Sequence, residues 1–354
     1  MLNFVKFFNK PPITPNIAPI VSNGEIDITE INFIKKFLIV TNTDVFITSG
    51  GLADAVSTPA KKGELAVDYS LYGLFKKPGT FLDIGANIGT LSLSLAALGW
   101  QGYAFEASSQ NASVLKKSIC INDFNIKVVE QAVSDKTGEI YFVQKGPWGV
   151  VQNNVDLRDD YEKLSCTSLD DWNDAETSID FIKMDIEGSE AAAFRGMYDF
   201  LARHNYPPIF VEVNLHMLSL FGETRISMLS HAKKMGYKPY KLEENSLRHV
   251  EYDSFPENVV EDLLLIKDSF DNINYPIKES SSPNENKIVE NIINNLQTSI
   301  NHQGIELCFC YALKDYPNYY NQPEIKNLLK KLYAIRNADD RHIKNWTDWI
   351  GDIK

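Results

Sequence analysis

A short turn between a predicted strand and a predicted helix holds the first residues whose types and spacing could do chemistry. The turn covers residues 83–89 and reads Asp-Ile-Gly-Ala-Asn-Ile-Gly. Glycine has no Cβ to keep a ligand away, so Gly85 and Gly89, with Asn87 between them, would let the backbone pass close to one. Asp83 at the strand tip could meet a cationic ammonium group, directly or through water. The turn therefore predicts a binding site for a ligand that carries a positive charge.

A second acidic residue, Glu106, ends the next predicted strand. A carboxylate in this position can accept hydrogen bonds from both hydroxyl groups of a ribose, so Glu106 indicates a cofactor that contains a nucleoside. At the end of the third predicted strand, Gln131 and the backbone of Ala132 could contact the edge of an adenine. The turn at 83–89 lacks the G-x-G-x-x-G order that cradles a pyrophosphate, which disfavours a nicotinamide dinucleotide.

A later predicted strand, residues 181–188, has its charged residues on one side. Side chains alternate across a strand, so Lys183, Asp185 and Glu187 share a face. Buried, unpaired charge is costly, and we therefore expect these groups to emerge at the carboxyl end of the sheet, where ligands bind. A purely structural ion pair between Lys183 and Asp185 is the alternative.

The following strand brings an acid, an amide and an imidazole to the same rim, as Glu212, Asn214 and His216. Glu212 or His216 could serve as a general base that takes a proton from a substrate hydroxyl. Asp185 and Glu187 are the other candidates for this role. A lone histidine is more often structural than catalytic. The sequence assigns no metal ligands.

Alternating strands and helices are expected to position these groups. Strands are predicted at residues 80–84, 102–106, 126–133, 140–143, 179–185 and 209–213. Two more β segments, 237–242 and 262–267, have no helix between them, which favours an antiparallel hairpin at the sheet edge. The predicted fold class is α/β, a Rossmann-like three-layer sandwich in which seven of these eight segments form a mostly parallel, seven-stranded sheet.

The flanks of this sheet are predicted to be separate units. Residues 1–60 are interpreted as an N-terminal cap segment, with a helical pattern over residues 31–38. The main domain covers 61–268. Residues 269–287 are rich in Asn, Ser, Pro and Glu and indicate a linker, and 288–354 indicate a helical C-terminal appendage that packs on itself.

Composition narrows the class of partner. The chain has 47 acidic residues against 35 basic ones, which disfavours a nucleic-acid partner because phosphate binding needs clustered Lys and Arg. Its four cysteines include no C-x-x-C pair and are interpreted as reduced thiols of a cytoplasmic protein. No apolar run approaches the roughly 20 residues that a membrane-spanning helix needs.

The ordered motifs of residues 64–268 resemble those of the FkbM family of methyltransferases. They lie at residues 81–89, 105–107, 132–135, 167–171, 182–190 and 211–212. Glu106-Ala107 departs from the Glu-Pro pair usual in the family, which affects only the local loop. The resemblance implies the class I methyltransferase fold and transfer of a methyl group from S-adenosylmethionine to an oxygen, usually on a sugar or another natural product.

The resemblance also implies roles for individual residues. Asp185 and Glu187 would face the methyl group and its acceptor, and a loop at 146–153 could cover the substrate. The acceptor would be a small molecule or a glycan. The C-terminal helices lie outside the resemblance and could cover the acceptor site, pair with a second copy of the chain or dock on a glycan-assembly partner. The residues expected to bind S-adenosylmethionine are Asp83, Gly85, Asn87, Gly89, Glu106, Gln131, Ala132 and Asp185.

Three other functions are less well supported. A nicotinamide-dependent oxidoreductase shares the fold and Glu106 but needs the pyrophosphate cradle. An amino-methyltransferase of nucleic acids or glutamine would need a D/N-P-P-Y/F tetrapeptide where this chain has Asp-Ile-Glu-Gly at 185–188. A catalytically silent scaffold is compatible with the fold, since a fold does not guarantee a function, but the full acidic set argues against it.

Overall fold

A nine-stranded sheet runs through the part of the chain that the computed structural model describes. The described residues are 16–21, 27–32, 36–40, 71–145, 148–152, 162–173, 175, 177–243, 246–257, 260–278, 285–299, 313 and 315–335. In chain order the strands are β1 (Asn16–Val21), β2 (Asp27–Asn32), β3 (Lys36–Val40), β4 (Thr80–Ile84), β5 (Gln101–Phe105), β6 (Ile126–Val129), β7 (Ala132–Val133), β8 (Gly138–Lys145), β9 (Trp148–Gln152), β10 (Glu162–Thr167), β11 (Phe181–Met184), β12 (Ile209–Asn214), β13 (Lys238–Glu243), β14 (Ser246–His249), β15 (Val260–Ile266) and β16 (Ile277–Lys278). The helices are α1 (Thr90–Ala97), α2 (Ser109–Asn122), α3 (Glu190–Arg195), α4 (Tyr198–Arg203), α5 (Leu215–Leu220), α6 (Arg225–Lys234), α7 (Glu285–Ser299), α8 (Pro317–Tyr320) and α9 (Pro323–Ile335).

The strand order of this sheet is β16-β14-β13-β15-β12-β11-β4-β5-β6. The five strands from β12 to β6 pair in parallel, whereas β15 runs antiparallel to both β12 and β13. The predicted α/β class, with a mostly parallel sheet and an antiparallel edge, is confirmed. The sheet has nine strands rather than seven because β14 and β16 extend the edge beyond β13.

Helices cover both faces of the sheet, which makes the sandwich three layers thick. Alternate residues of β4 point to opposite faces, so Leu82 and Ile84 belong to one apolar cluster and Phe81 to the other. The first cluster contains Phe194 of α3, and the second contains Leu115 of α2. A strand buried on both faces needs a nearly continuous apolar run, as the sequence of β4 has.

The predicted strand at 126–133 is two strands in different sheets. The amide of Gln131 donates to the carbonyl of Val129 (3.0 Å), and this tight turn ends β6. Beyond it, β7 pairs in parallel with β10 and begins a second sheet, of order β7-β10-β8-β9. The strand predicted at 140–143 is β8 of this second sheet. The prediction of a loop at 146–153 is wrong for residues 148–152, because these form β9, which pairs with β8. Residues 146, 147 and 153 lie outside the described residues.

The helix predicted over residues 31–38 is wrong, because this stretch contains strands of a three-stranded antiparallel sheet, β1-β2-β3. Its edge strand β3 packs against α2. The side chain of Asn122 accepts a hydrogen bond from the amide of Leu38 (2.9 Å) and donates one to the carbonyl of the same residue (2.6 Å). Ser118 accepts from the amide of Val40 (2.9 Å). Strand pairing with β2, together with the side-chain bonds from α2, outweighs the local helical spacing.

The linker predicted at 269–287 is wrong as far as residue 278. Ile273 forms a β-bridge with Phe75, and the amide of Asn274 donates to the carbonyl of Leu74 (2.8 Å). Strand β16 then adds to the edge of the main sheet. Residues 279–284 lie outside the described part of the chain, and α7 begins at Glu285. Backbone pairing thus holds a polar stretch against the main domain.

The C-terminal helices share an apolar cluster with the main domain. Ile292 and Leu296 of α7 pack with Leu329 of α9 and with Phe255, which precedes β15. The hydroxyl of Tyr316 donates to the carbonyl of Ser254 (3.0 Å). Across the described ranges, no helix combines the length and apolar character needed to cross a membrane. The predicted role of these helices in contacting a second copy or another partner stays a prediction.

Beneath these helices lies a buried ion pair between Arg225 and Glu261. Both side chains are almost fully buried, at 1% and 3% exposed. The Arg225 guanidinium bonds the Glu261 carboxylate and also donates to the carbonyls of Tyr252 (3.0 Å) and Ser254 (3.1 Å). Lys241 approaches the second oxygen of Glu261 at 3.0 Å. The pair therefore connects α6, β15 and the segment on which the C-terminal helices pack.

We expect Arg225→Met to lower the free energy of unfolding by about 3 kcal/mol, because it strips a buried carboxylate of its main partner. Urea denaturation followed by circular dichroism would measure the change. Lys163→Met is the matched control, since the ion pair of Lys163 with Glu139 is exposed on both sides and should leave the midpoint unchanged. An equal midpoint for the two variants would contradict the role given to Arg225.

Candidate functional site

The predicted site residues gather where the parallel strands end. Asp83 is the second-last residue of β4, and Glu106 follows β5 directly. Asp185 follows β11, and Glu212 lies near the end of β12. Because these strands are parallel neighbours, their carboxyl ends meet at one edge of the sheet, where open α/β sheets bind their ligands.

The turn at residues 83–89 is built from left-handed backbone. Gly85 has φ +82°, Asn87 +54° and Gly89 +91°. A Cβ on Gly85 would lie 1.9 Å from the carbonyl oxygen of Asp185, so no other residue fits there without moving a strand end. The sequence predicted close approach to a ligand, and the close neighbour within the protein is the backbone that carries Asp185. This contact joins the turn to the acidic residues after β11.

Asp83 is buried, with one carboxylate oxygen still available. Its Oδ2 accepts a hydrogen bond from the hydroxyl of Ser92 (2.6 Å), while Oδ1 lies 4.0 Å from the ammonium group of Lys183. Among the described residues, Oδ1 has no hydrogen-bond partner. Burial raises the pKa of Asp83, and Lys183 acts in the opposite direction. Asp83 therefore has room for one more donor.

Two backbone amides hold the carboxylate of Glu106, one from the turn at residues 83–89 and one from the residue two positions after Glu106. Its Oε2 accepts from the amide of Asn87 and its Oε1 from the amide of Ser108, both at 2.8 Å. Burial raises the pKa of Glu106 to about 6, although the two amides oppose the shift. The side chain of Asn111 also bonds this carboxylate, which leaves one of its roughly four acceptor positions for a further donor.

Gln131 and Ala132 lie beside Glu106, where the main sheet gives way to the second one. The carbonyl of Val129 accepts from the amides of both Glu106 (3.1 Å) and Gln131 (3.0 Å). Gln131 and Ala132 are half-buried. The chain break between β6 and β7 therefore brings these two residues to the rim next to Glu106.

Three carboxyl groups form a compact cluster on the other side of the turn. One oxygen each from Asp185, Glu187 and Glu212 lie within 4.8 Å of one another, and all three residues are half-buried. The ammonium group of Lys183 donates to Oδ2 of Asp185 (3.0 Å), so the predicted ion pair is present. Oxygen ligands at such spacing suit a hard divalent cation, and Lys183 already supplies a positive charge there.

The carboxyl groups of this cluster differ in proton affinity. Burial raises the pKa of Glu212 to about 9, with further contributions from Asp185 and from Asp262, its partner across the antiparallel pair. Burial and Asp185 raise the pKa of Glu187 to about 7. Burial alone would lower the pKa of Lys183, but the carboxylates of Asp185 and Asp83 raise it, so its charge is retained.

His216 and Asn214 have local roles in the structure. Asn214 caps α5, where its side-chain oxygen accepts from the amide of Met217 (3.3 Å). His216 lies in the first turn of α5, half-buried, and its carbonyl accepts from the hydroxyl of Ser219 (2.7 Å). Within the described residues, His216 is not a member of the cluster of three carboxyl groups.

Sequence reasoning missed two residues of this site, Ser92 and Glu190. Ser92 bonds Asp83 from the first turn of α1. Glu190 is buried, and its Oε1 accepts from the amides of Ile186 (3.1 Å) and Gly188 (3.2 Å). The motif at 182–190 contains Glu190, but its burial could not be read from the strand alternation, which ends before the turn.

The sheet order is that of a Rossmann-like α/β fold, and the left-handed turn and Glu106 lie at the carboxyl ends of its strands. Residues 83–239 match the family model described as the Methyltransferase FkbM domain. This part of the chain is a methyltransferase FkbM domain, and the chain is an S-adenosylmethionine-dependent methyltransferase. The resemblance drawn from the sequence motifs is confirmed, and every predicted site residue lies within the matched range.

Several solved methyltransferase structures are similar to this chain. The precorrin-6y C5,15-methyltransferase of Geobacter metallireducens GS-15 is 15% identical, with 58% of this chain and 88% of that one covered and a TM-score of 0.32. A TehB-like SAM-dependent methyltransferase from Corynebacterium glutamicum is 13% identical, with 62% and 96% covered and a TM-score of 0.35. A SAM-dependent O-methyltransferase from Thermotoga maritima is 11% identical, with 66% and 73% covered and a TM-score of 0.33. No curated protein matches the chain.

The contact between Gly85 and Asp185 makes a stability prediction. Gly85→Ala should lower the free energy of unfolding by about 3 kcal/mol or more, because it combines a left-handed alanine with a clash against backbone. Gly222→Ala is the matched control, since Gly222 has φ +72° with nothing within 4 Å of the added Cβ. It should cost only the left-handed penalty, about 1 kcal/mol. Equal losses in urea denaturation would show that the close contact has no energetic weight.

Proposed function

We propose that this methyltransferase transfers the methyl group to a hydroxyl oxygen of an uncharged acceptor, such as a sugar, a glycan or another natural product. The observation that supports this best is the cluster of Asp185, Glu187 and Glu212, which lies next to the turn at residues 83–89, the cofactor turn. Methylation of a hydroxyl oxygen requires the loss of its proton, and a carboxylate at the acceptor side can accept that proton.

The turn and its neighbours fit S-adenosylmethionine. The free Oδ1 of Asp83 suits the amino group of the cofactor, and the remaining acceptor position of Glu106 suits a ribose hydroxyl. Gln131 and Ala132 would adjoin the adenine. The backbone between them is shaped by Gly85, Asn87 and Gly89. When bound, the cofactor supplies an electrophilic methyl group on its sulfonium.

Glu187 is the general base in this proposal. Asp185 is engaged by the ammonium group of Lys183, which holds it in place. Glu212 keeps its proton at neutral pH and therefore acts as a hydrogen-bond donor that orients the acceptor. A base works best when its pKa lies near the operating pH, and Glu187 meets this condition. His216, in the first turn of α5, remains the alternative base.

Charge at the acceptor side supports an uncharged acceptor. In the described part of the site, the cluster of three carboxyl groups and Asp262 face a single cation, Lys183. Lys183 is already paired with Asp185, so a phosphate or carboxylate on the acceptor would gain no unpaired cation from these residues, whereas a neutral hydroxyl compound can donate hydrogen bonds to the same oxygens.

Isothermal titration calorimetry separates this proposal from a nicotinamide-dependent oxidoreductase. We expect S-adenosylhomocysteine to bind and NAD to show no binding. Affinity for S-adenosylhomocysteine should fall as the pH drops through about 6, because protonation of Glu106 removes an acceptor for the ribose. The loss between pH 7 and pH 5 should be about tenfold. Glu106→Gln should bind weakly with a flat pH profile, and tighter binding of NAD would overturn the proposal.

Methyl transfer itself is tested with extracts of cells that lack the gene. Incubation with S-adenosylmethionine carrying a deuterated methyl group should produce one labelled ether, detected by mass spectrometry. Glu187→Gln should reduce this transfer by about 100-fold or more with unchanged binding of S-adenosylhomocysteine. Glu139→Gln is an exposed control that should keep full activity. A larger loss in His216→Ala than in Glu187→Gln would assign the base to His216. Absence of any product would favour a catalytically silent scaffold.

A further inference from the structure

One buried carboxyl group of the site has no part in the proposed chemistry. Glu190, the first residue of α3, is 1% exposed. A buried glutamate that is not paired with a cation is costly, so its hydrogen bonds identify what it does. Its Oε1 accepts from two backbone amides of the preceding turn, and its Oε2 has no hydrogen-bond partner among the described residues.

The turn in question places Glu187 in an unusual backbone conformation. Glu187 has φ +52° and Gly188 has φ +99°, so two consecutive residues are left-handed. For a residue with a side chain this conformation costs about 1 kcal/mol or more, and the surroundings must hold it. The turn also presses on α5, because a Cβ on Gly188 would lie 2.5 Å from the carbonyl oxygen of Met217. Its position is therefore narrowly defined from one side by α5.

Glu190 restrains the same turn from the other side. The two amides that Oε1 accepts belong to Ile186 and Gly188, the residues directly before and after Glu187. A single oxygen atom thus restrains the peptide group after Glu187, through the amide of Gly188, and the peptide group between Asp185 and Ile186, through the amide of Ile186. We infer that Glu190 is a positioning residue that holds the carboxyl group of Glu187 in place at the acceptor side of the site.

The expected effect of Glu190 on the rate of methyl transfer rests on the proposed function, in which Glu187 is the general base. Its effect on the backbone of the turn does not. Without the bond from Oε1, the peptide groups around Glu187 can rotate toward the more favourable right-handed or extended conformations. The Glu187 carboxyl group would then leave the cluster with Asp185 and Glu212. Cofactor binding should not change, because Asp83 and Glu106 are held by other partners, Ser92 and the amides of Asn87 and Ser108.

Three variants of the full-length protein test the role of Glu190. Glu190→Gln keeps an oxygen that can accept from both amides. Glu190→Asp keeps the charge, but its shorter side chain cannot reach both. Glu190→Ala removes the acceptor. Hydrogen exchange of the amides at 186 and 188, followed by NMR, should accelerate about tenfold or more in the Asp and Ala variants and by less than about threefold in the Gln variant. Glu223→Ala, a glutamate that bonds Arg195 outside this turn, is the control and should leave exchange there unchanged.

Two functional measurements complete the test. The Kd for S-adenosylhomocysteine should stay within about twofold of the wild type in all three variants, while kcat for methyl transfer should fall about tenfold or more in the Asp and Ala variants and recover in the Gln variant. Wild-type exchange and kcat in the Asp variant would overturn the inference, as would a loss of cofactor binding equal to the loss of kcat. If the Ala variant does not fold, the Asp and Gln pair decides alone. A failure of Glu187 as base would appear as full activity in Glu187→Gln, with the exchange result unaffected.

Discussion

The ammonium group of Lys183 is the interaction on which the site depends. It lies in register with Asp83 on the neighbouring strand and reaches the carboxylates of both Asp83 (4.0 Å) and Asp185 (3.0 Å). Without a cation, so many carboxyl groups at a half-buried sheet edge would repel one another, and most would be protonated. Lys183 thus supplies a positive charge between Asp83 and Asp185.

The remaining acids form a graded set because burial raises the pKa of each, and their hydrogen bonds and charged neighbours oppose or add to the shift. Glu106 is bonded by two amides and has a pKa of about 6, Glu187 lies beside Asp185 at about 7, and Glu212 faces both Asp185 and Asp262 at about 9. The three roles proposed for these acids, binding a ribose, taking a proton and holding one, match this order. The backbone contact of Gly85 with Asp185 fixes the turn at residues 83–89 against the end of β11.

The flanks of the sheet support this site instead of forming independent units. Strand β3 docks on α2 through Ser118 and Asn122, and Leu115 of the same helix packs against Gly89 of the cofactor turn. At the opposite end, the pair of Arg225 and Glu261 ties the C-terminal cluster to β15, whose Glu261 lies opposite Val213 of β12. Both flanks are thus packed on elements that carry or adjoin site residues.

The sequence by itself determined the central strands, the cofactor turn and the family, because these depend on local patterns. Strand β4 is an apolar run whose bounds were predicted correctly, and the turn after it is specified by glycines at fixed spacing. Only the tertiary structure decided the features that depend on distant partners. The break after Val129 and strand β16 arise from backbone pairing with segments well separated along the chain. The strand at residues 36–40 pairs with its neighbour β2 and is bonded by the side chains of Ser118 and Asn122. The same is true of the site, where the burial that separates the pKa values of Glu187 and Glu212, and the bonds of Glu190 around Glu187, exist only once strand ends and helices have been brought together.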